Sequence, residues 1–176
     1  MGQYYYAVIL DAQGKIVMWM NASPYGAGVK LMEHSYIDNA FVNTFEFSLS
    51  PEGALYKSRV VWAGDYADNE PGQENNLHQL CNDDEKKLIA PAKKDASKYR
   101  YLVNHTKKQY VDKTKTGTLH PLPLMTVEGN GRGGGDMHDA PSFVGSWARD
   151  VISVEEVVPD TENFQEIVFD LGEERA

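Results

Sequence analysis

The sequence predicts an α+β fold, built mainly from an antiparallel sheet of about six strands with one or two helices. Short apolar runs alternate with turn residues along much of the chain, as strands and hairpins require. These runs do not alternate regularly with helical segments, which argues against parallel βαβ units. A length of 176 residues suits one domain spanning 1–176, with an end that frays from about residue 172.

The first half of the chain begins with a hairpin. Residues 4–10 and 16–20 are apolar runs separated by the turn residues 11–14, so we expect a β-hairpin buried on both faces near the centre of the sheet. Apolar residues at near-helical spacing predict a helix over 29–40, which either continues through 41–47 or gives way to a strand there. We then expect a strand over 59–63, an acidic loop over 64–72 and a short helix over 75–81.

The second half predicts another hairpin and three more strands. Residues 99–104 and 108–112 carry aromatic side chains that can pair across two strands. The remaining strands are predicted over 122–127, 144–154 and 164–171, and a glycine-rich loop fills 129–141.

The composition argues against several classes of protein. No stretch approaches the ~18 consecutive apolar residues of a membrane helix, and the first residues lack the pattern of a signal peptide. We therefore expect a cytoplasmic protein without a membrane partner. The single cysteine, Cys81, excludes an internal disulfide framework and a zinc site built on several thiolates. Carboxylates beside it would raise a thiol's pKa, so we expect no nucleophile there.

The net charge of -9 conceals a basic segment, residues 86–115, with 10 basic and 2 acidic side chains. This segment can attract an anionic ligand or the acidic face of another chain. Alternatively, it is a solvated, lysine-rich hairpin that docks near the acidic C-terminal tail. Long nucleic acid is not an expected partner, because the rest of the surface should repel phosphates.

The most unusual segment is glycine-rich, with five glycines among residues 129–135. Backbone N–H groups of Gly133, Gly134 and Gly135 can point into a common concavity that binds phosphate or carboxylate oxygens, and Arg132 can add a bidentate contact. Asp136 follows directly. The segment is neither a Walker loop nor a dinucleotide-binding fingerprint. The alternative is a surface loop whose glycines only permit a tight path.

Two further patterns point to a similar ligand. If a helix begins near Gly28, its free N–H groups and the charge of Lys30 favour an anion, although an ordinary helix start explains the pattern equally. Two phrases, 61–66 and 145–150, set aromatic residues beside acids. Their candidate ligand contacts are Asp65, Tyr66, Trp147 and Arg149. Aromatic rings can stack on a purine and carboxylates can accept from amino or hydroxyl groups, but core packing of the tryptophans is the competing interpretation.

Metal binding and catalysis have weaker support. Asp136, His138 and Asp139 are metal-binding residue types, and His120, Asp65 or Asp68 can complete a ligand set if the fold brings them together. We favour a site without a metal or cofactor. No nucleophile elbow occurs, and we assign no catalytic residue.

Several of these phrases together resemble a group of small bacterial and phage-encoded proteins of uncharacterised function. The shared features are an initial Gly-Gln-Tyr, a Gly-x-Gly-x-Lys-Leu-x-Glu segment, an Arg-Gly-Gly-Gly-Asp loop, a Gly-x-Trp-Ala-x-Asp phrase and a Gly-Asp-Tyr-Ala-acid phrase. They stand here at 2–4, 26–33, 132–136, 145–150 and 64–68. The resemblance implies no reaction or ligand, but it selects the same loops.

We therefore expect binding, and in a phage–host setting sequestration, of a small nucleotide-derived or phosphorylated ligand such as a signalling nucleotide. Two other classes stay open. One is a hydrolase or transferase acting on such a ligand through Asp136, His138 or Asp65. The other is a protein-interaction domain that uses the basic segment. A homo-oligomer also stays open.

Overall fold

As a computed structural model, the chain has an α+β fold whose sheet is open, mixed and mostly antiparallel. The structure describes residues 3–93, 98–129 and 142–169. Within these ranges there are eight strands: β1 (Tyr5–Leu10), β2 (Ile16–Met20), β3 (Ser58–Gly64), β4 (Tyr101–Asn104), β5 (Gln109–Asp112), β6 (Val127–Glu128), β7 (Val151–Glu155) and β8 (Gln165–Glu166). There are also four α-helices: α1 (Leu31–His34), α2 (Ala40–Ser48), α3 (Leu77–Leu80) and α4 (Pro121–Thr126). The α+β class is confirmed, whereas the predicted numbers of about six strands and one or two helices are both too small.

The strand order places the ends of β3 and β6 together. The order is β2-β1-β3-β7-β4-β5-β8, and β6 lies beside β3. The pairs β3–β6 and β5–β8 are parallel, and the other pairs are antiparallel. One edge of β3 is shared, because β7 pairs with Ser58 and Arg59 while β6 pairs with Trp62 and Ala63. Since β6 runs parallel to β3, both strands end on the same side of the sheet.

A hydrophobic core lies on each face of the sheet. The larger core packs α2 and α4 against the sheet and contains Trp62 and Trp147, which are both fully buried. The smaller core includes Val8, Trp19 and Cys81. Burial, rather than neighbouring carboxylates, raises the pKa of the Cys81 thiol to about 12. A thiol with that pKa stays protonated at neutral pH, which makes it a poor nucleophile.

Both predicted hairpins are present, but the first lies at the margin of the sheet and not near its centre. β1 is buried on both faces, whereas β2 is the last strand on its side and Val17 is 43% exposed. An apolar run therefore marks a strand without fixing its place in the sheet. In the second hairpin, the rings of Tyr101 and Tyr110 meet edge to face with centroids 5.8 Å apart.

The helix predicted over 29–40 is wrong in its extent. α1 covers only four residues, and a separate helix, α2, begins after Asn39. The Oδ1 atom of Asn39 accepts hydrogen bonds from the N–H groups of Phe41 at 3.0 Å and Val42 at 3.2 Å. A side chain that satisfies these N–H groups marks a helix start, so α2 takes the place of the strand considered for 41–47.

The strand predicted over 122–127 is also wrong, because residues 121–126 form α4 and only the last residue enters β6. His120 caps this helix through its Nδ1 atom, which accepts from the N–H group of Leu122 at 3.1 Å. Pro121 occupies the first helical position, where its missing N–H group costs nothing. A short apolar run does not by itself distinguish a strand from a buried helix.

Of the remaining predicted elements, two are shorter than predicted and two agree with the prediction. Residues 142–149 form turns, so the strand predicted over 144–154 starts only at Val151, and the strand predicted over 164–171 is reduced to β8. The predicted strand over 59–63 and the short helix within 75–81 are confirmed as β3 and α3. Among the described residues, no helix combines the length and apolar character that crossing a membrane requires.

Candidate functional site

A cleft of about 340 Å³ opens where β3 and β6 end. Its lining residues are Ala67, Asp68, Asn69, Glu70, Pro71, Glu128, Gly129 and Arg149. Gly64 permits the close approach of the two strand ends, because a Cβ atom there would lie 3.0 Å from the Glu128 carbonyl oxygen and 2.7 Å from Oε1 of Gln3. The cleft thus joins the acidic loop to the first residue of the glycine-rich segment.

Arg149 is the positively charged residue of the described lining, and it pairs with two carboxylates. Its Nη1 and Nη2 atoms donate to the two carboxylate oxygens of Glu70 at 2.9 and 2.7 Å. Its Nε and Nη2 atoms donate to the two carboxylate oxygens of Glu128 at 2.7 and 2.8 Å. The hydrogen bonds that Arg149 donates, first to Glu70 and then to Glu128, raise the pKa of its guanidinium, which is therefore permanently charged. Two bidentate pairs therefore fix the guanidinium plane.

The backbone holds Arg149 in an uncommon conformation. Its φ angle is 70°, in the left-handed region that residues other than glycine rarely adopt. The Arg149 N–H group donates to the Val60 carbonyl at 2.7 Å, and the Val60 N–H group donates to the Asp150 carbonyl at 3.1 Å. These bonds tie the turn to β3 and aim the side chain across the sheet edge towards Glu70.

Asp65 and Tyr66 lie beside the cleft, directly before its lining loop. The Tyr4 N–H group donates to Oδ1 of Asp65 at 3.0 Å, and the Asp65 N–H group donates to the Tyr4 carbonyl at 3.0 Å. Tyr4 and Tyr66 are 49% and 48% exposed, so both rings are accessible. Asn76 fixes this loop, because its Nδ2 atom donates to the carbonyl groups of Asp65 and Ala67, both at 3.0 Å.

Lys30 forms a β-bridge with Tyr4, the same residue whose backbone bonds to Asp65. At the start of α1 a carboxylate of the chain, that of Glu33, accepts from the backbone, so the contact left for an anion there is the Lys30 side chain. The Lys30 N–H group donates to Oε1 of Glu33 at 3.0 Å, and a Cβ atom on Gly28 would lie 2.6 Å from the Glu33 side chain. Within the described ranges, no carboxylate pairs with the Lys30 ammonium group.

Trp147, another predicted ligand contact, does not line the cleft. Trp147 is fully buried in the larger core, and its indole N–H donates to Oε1 of Gln109 at 2.8 Å. Its environment therefore matches the core-packing interpretation. The side chain presents no ring surface to a ligand. Five predicted contacts lie outside the described residues: Arg132, Gly133, Gly134, Gly135 and Asp136.

The metal hypothesis gains no support from the described part of the chain. There, no three His, Cys, Asp or Glu side chains converge as metal ligands. His120 is fully buried beside Glu46, with its Nε2 atom 3.4 Å from Oε1 of that carboxylate. His138 and Asp139 lie outside the described residues.

Half of the ten basic side chains in the basic segment pair with the protein's own carboxylates within the described residues. Five ion pairs involve it: Lys98–Glu52, Arg100–Asp112, Lys107–Asp150, Lys113–Glu46 and Lys115–Glu166. The contact between Lys115 and Glu166 agrees with docking near the acidic C-terminal region. Much of the segment's charge is thus neutralised within the fold.

Sequence reasoning missed Glu70, Glu128 and Tyr4 as members of this site. The acidic loop and the glycine at 129 were visible, but only the pairing of β3 with β6 brings the two glutamates to opposite sides of Arg149. Comparisons with protein-family models, curated proteins and solved structures found no match to this chain.

The described lining includes three carboxylates, Asp68, Glu70 and Glu128, and one guanidinium, that of Arg149. Carboxylate oxygens only accept hydrogen bonds at neutral pH. The lining described here is therefore suited to a ligand group that donates hydrogen bonds.

Proposed function

We propose that this cleft binds a small nucleotide-derived ligand and retains it without chemical change, as a sequestering protein does. One observation carries the proposal: segments that the sequence independently marks as ligand contacts border the same cleft. They are the phrase at 64–68, the turn that holds Arg149 and the start of the glycine-rich segment at Gly129. Lys30 is one strand further along the same edge.

The chemistry of the lining supports a nucleoside moiety. Asp68, Glu70 and Glu128 can accept from base amino groups and ribose hydroxyls, and the exposed Tyr66 is able to stack on a base. For the anionic group of the ligand, the proposed contacts are Lys30, Arg132 and the backbone of 133–135. In a phage or its host, such a protein would lower the free concentration of a signalling nucleotide.

The test is to incubate the protein with adenine and guanine mononucleotides, cyclic mononucleotides and cyclic dinucleotides, and to measure binding by calorimetry. The bound molecule is then released by denaturation and identified by mass spectrometry. Recovery of the intact ligand supports sequestration. Recovery of an altered ligand supports the alternative of a hydrolase or transferase, and no binding by any member of the panel contradicts the proposal.

A matched pair of variants localises the site. Asp68 lines the cleft, is exposed and makes no hydrogen bond or ion pair within the described residues, so Asp68→Asn should leave the fold intact. We expect the variant to bind at least about 10-fold more weakly, because a hydrogen bond to a charged group contributes roughly 1.5–3 kcal/mol. Asp38 is equally exposed but does not line the cleft, and Asp38→Asn should bind as the wild type does.

A further inference from the structure

The hydrogen-bonding edges of the Arg149 guanidinium are occupied. Four of its N–H groups donate to Glu70 and Glu128, through Nε, Nη1 and twice through Nη2. A phosphate group would have to displace one of these carboxylates to gain a bidentate contact. The side chain is nevertheless 33% exposed and lines the cleft, so the surface it offers to a ligand is chiefly its flat face.

We infer that Arg149 is a stacking platform for a planar ring, specifically a nucleobase with adjacent N–H donors such as guanine. The inference rests on the proposed function and gives a specific role to Arg149, which the sequence marks only as a candidate ligand contact. Guanidinium planes stack on nucleobases and aromatic rings. Because Glu70 and Glu128 already fix the plane, little side-chain freedom is lost when a ring settles on it.

The carboxylates that line the cleft determine which base binds there. Each carboxylate offers about four acceptor positions, and Glu70 and Glu128 each use two on Arg149. Because these bidentate contacts keep Glu70 and Glu128 in the guanidinium plane, the carboxylate left for the edge of a ring stacked above that plane is the exposed Asp68, which lines the same cleft. A guanine edge, with its N1–H and its amino group side by side, matches two carboxylate oxygens. An adenine edge offers one amino group beside an acceptor nitrogen, which carboxylates repel.

The backbone conformation of Arg149 also supports a ligand-binding role. A left-handed conformation at a residue other than glycine is strained and persists only where the surroundings enforce it. Here the bonds to β3 enforce it, and the result is a charged plane held at the edge of a cleft. Such strain is common at ligand sites. A clamp that merely closed the acidic loop would explain the ion pairs, and the following experiment distinguishes the two roles.

The experiment follows the Arg149 Nε–H resonance by NMR during titration with guanosine, adenosine and ribose 5-phosphate. The resonance is assigned by its loss in Arg149→Lys, which keeps the charge and removes the plane. Stacking predicts an upfield shift with guanosine, caused by the ring current of the base, and no shift with ribose 5-phosphate. We also expect Arg149→Lys to bind guanosine roughly 5- to 150-fold more weakly, the range for loss of one stacked base. Arg59→Lys is the matched control, because Arg59 lies in β3 and does not line the cleft.

The outcomes separate this inference from the proposed function. Guanosine binding that leaves the Arg149 resonance unmoved overturns the platform and leaves the proposed function standing, as does guanosine binding no tighter than adenosine. A ribose 5-phosphate affinity that falls in Arg149→Lys would overturn the platform and make Arg149 an anion contact. If Arg149→Lys fails to fold, the Nε–H resonance is assigned in the wild type by through-bond correlation to the Arg149 backbone, and the wild-type titration decides. Binding of none of the three probes overturns the platform, and the nucleotide panel then decides the proposed function.

Discussion

His34 shows how the fold gives a residue a fixed chemical state that the sequence does not reveal. The side chain is fully buried, with Nδ1 2.8 Å from the Gly28 carbonyl and Nε2 accepting from the indole N–H of Trp62 at 2.9 Å. Because an indole N–H can only donate, the Nε2 atom carries no proton and the Nδ1–H group donates to Gly28. Burial lowers the pKa of His34 to about 4, against the opposing effects of Gly28 and Glu33.

The first prediction is that His34 makes stability fall in mild acid. Unfolded His34 titrates near 6.5 and folded His34 near 4, so the unfolded state binds more protons between these values. The stability that neutral His34 confers is complete above about pH 6.5 and is lost as pH falls towards 4, at a cost of about 3 kcal/mol. Buried His120, whose pKa burial also lowers, acts in the same direction.

Urea unfolding of the wild type and of His34→Gln at several values between pH 7 and pH 4.5 measures this effect. A glutamine can donate to Gly28 and accept from Trp62 but does not titrate, so the variant should lose less stability over the window. An NMR titration should also show His34 neutral at pH 5. Equal losses in the two proteins would assign the acid sensitivity to other groups.

At the scale of elements, hairpins were predictable from sequence and helix boundaries were not. Both hairpins have apolar runs flanking turn residues, a local pattern that specifies two neighbouring strands. The helices instead depend on single capping side chains, Asn39, Asn76 and His120, whose contacts no periodicity reveals. The candidate site was half predictable for a similar reason: Asp65 and Arg149 stand out by residue type, while Glu128 depends on a two-residue parallel pairing.

The second prediction separates the capping role of Asn76 from its role in the cleft. Its Oδ1 atom caps α3 by accepting from Gln79 N–H at 2.9 Å, while Nδ2 donates to the carbonyl groups of Asp65 and Ala67. Asn76→Asp keeps the cap, removes both donors and sets a carboxylate oxygen against two carbonyls. We expect a loss of about 1–3 kcal/mol and faster hydrogen exchange in 64–72.

Asn39→Asp is the matched control. Asn39 also caps a helix through Oδ1, but its Nδ2 atom makes no hydrogen bond within the described residues. This variant should melt close to the wild type and exchange normally in the acidic loop. Hydrogen-exchange mass spectrometry and thermal melts measure both effects. Normal exchange in 64–72 for Asn76→Asp would mean that the loop is held by other contacts.

At the scale of the whole molecule, the charge asymmetry of the sequence is largely resolved inside the fold. The basic segment faces carboxylates from α2, from the turn after it, from the residue before β7 and from β8. Lys113 illustrates the consequence: its side chain is only 9% exposed, unlike the lysines of a solvated hairpin. Because ion pairs within the chain cancel its field at a distance, the segment has less capacity to steer an anionic ligand than its composition suggests.

The last prediction concerns the buried pair of Lys113 and Glu46, whose carboxylate is completely buried. Burial would raise the pKa of Glu46, but His120 and Lys113 together hold that pKa below its ordinary value, so Glu46 is charged at neutral pH. Lys113→Met leaves that charge without its lysine and should cost about 3–5 kcal/mol. Lys115→Met should cost under about 1 kcal/mol, because the Lys115 side chain that pairs with Glu166 is 62% exposed. The double variant Lys113→Met/Glu46→Leu should recover most of the loss, because it removes both charges from the interior. Urea unfolding at pH 7 of the three variants gives the comparison, and a Lys113→Met protein as stable as Lys115→Met would show that the ion pair is not buried in solution.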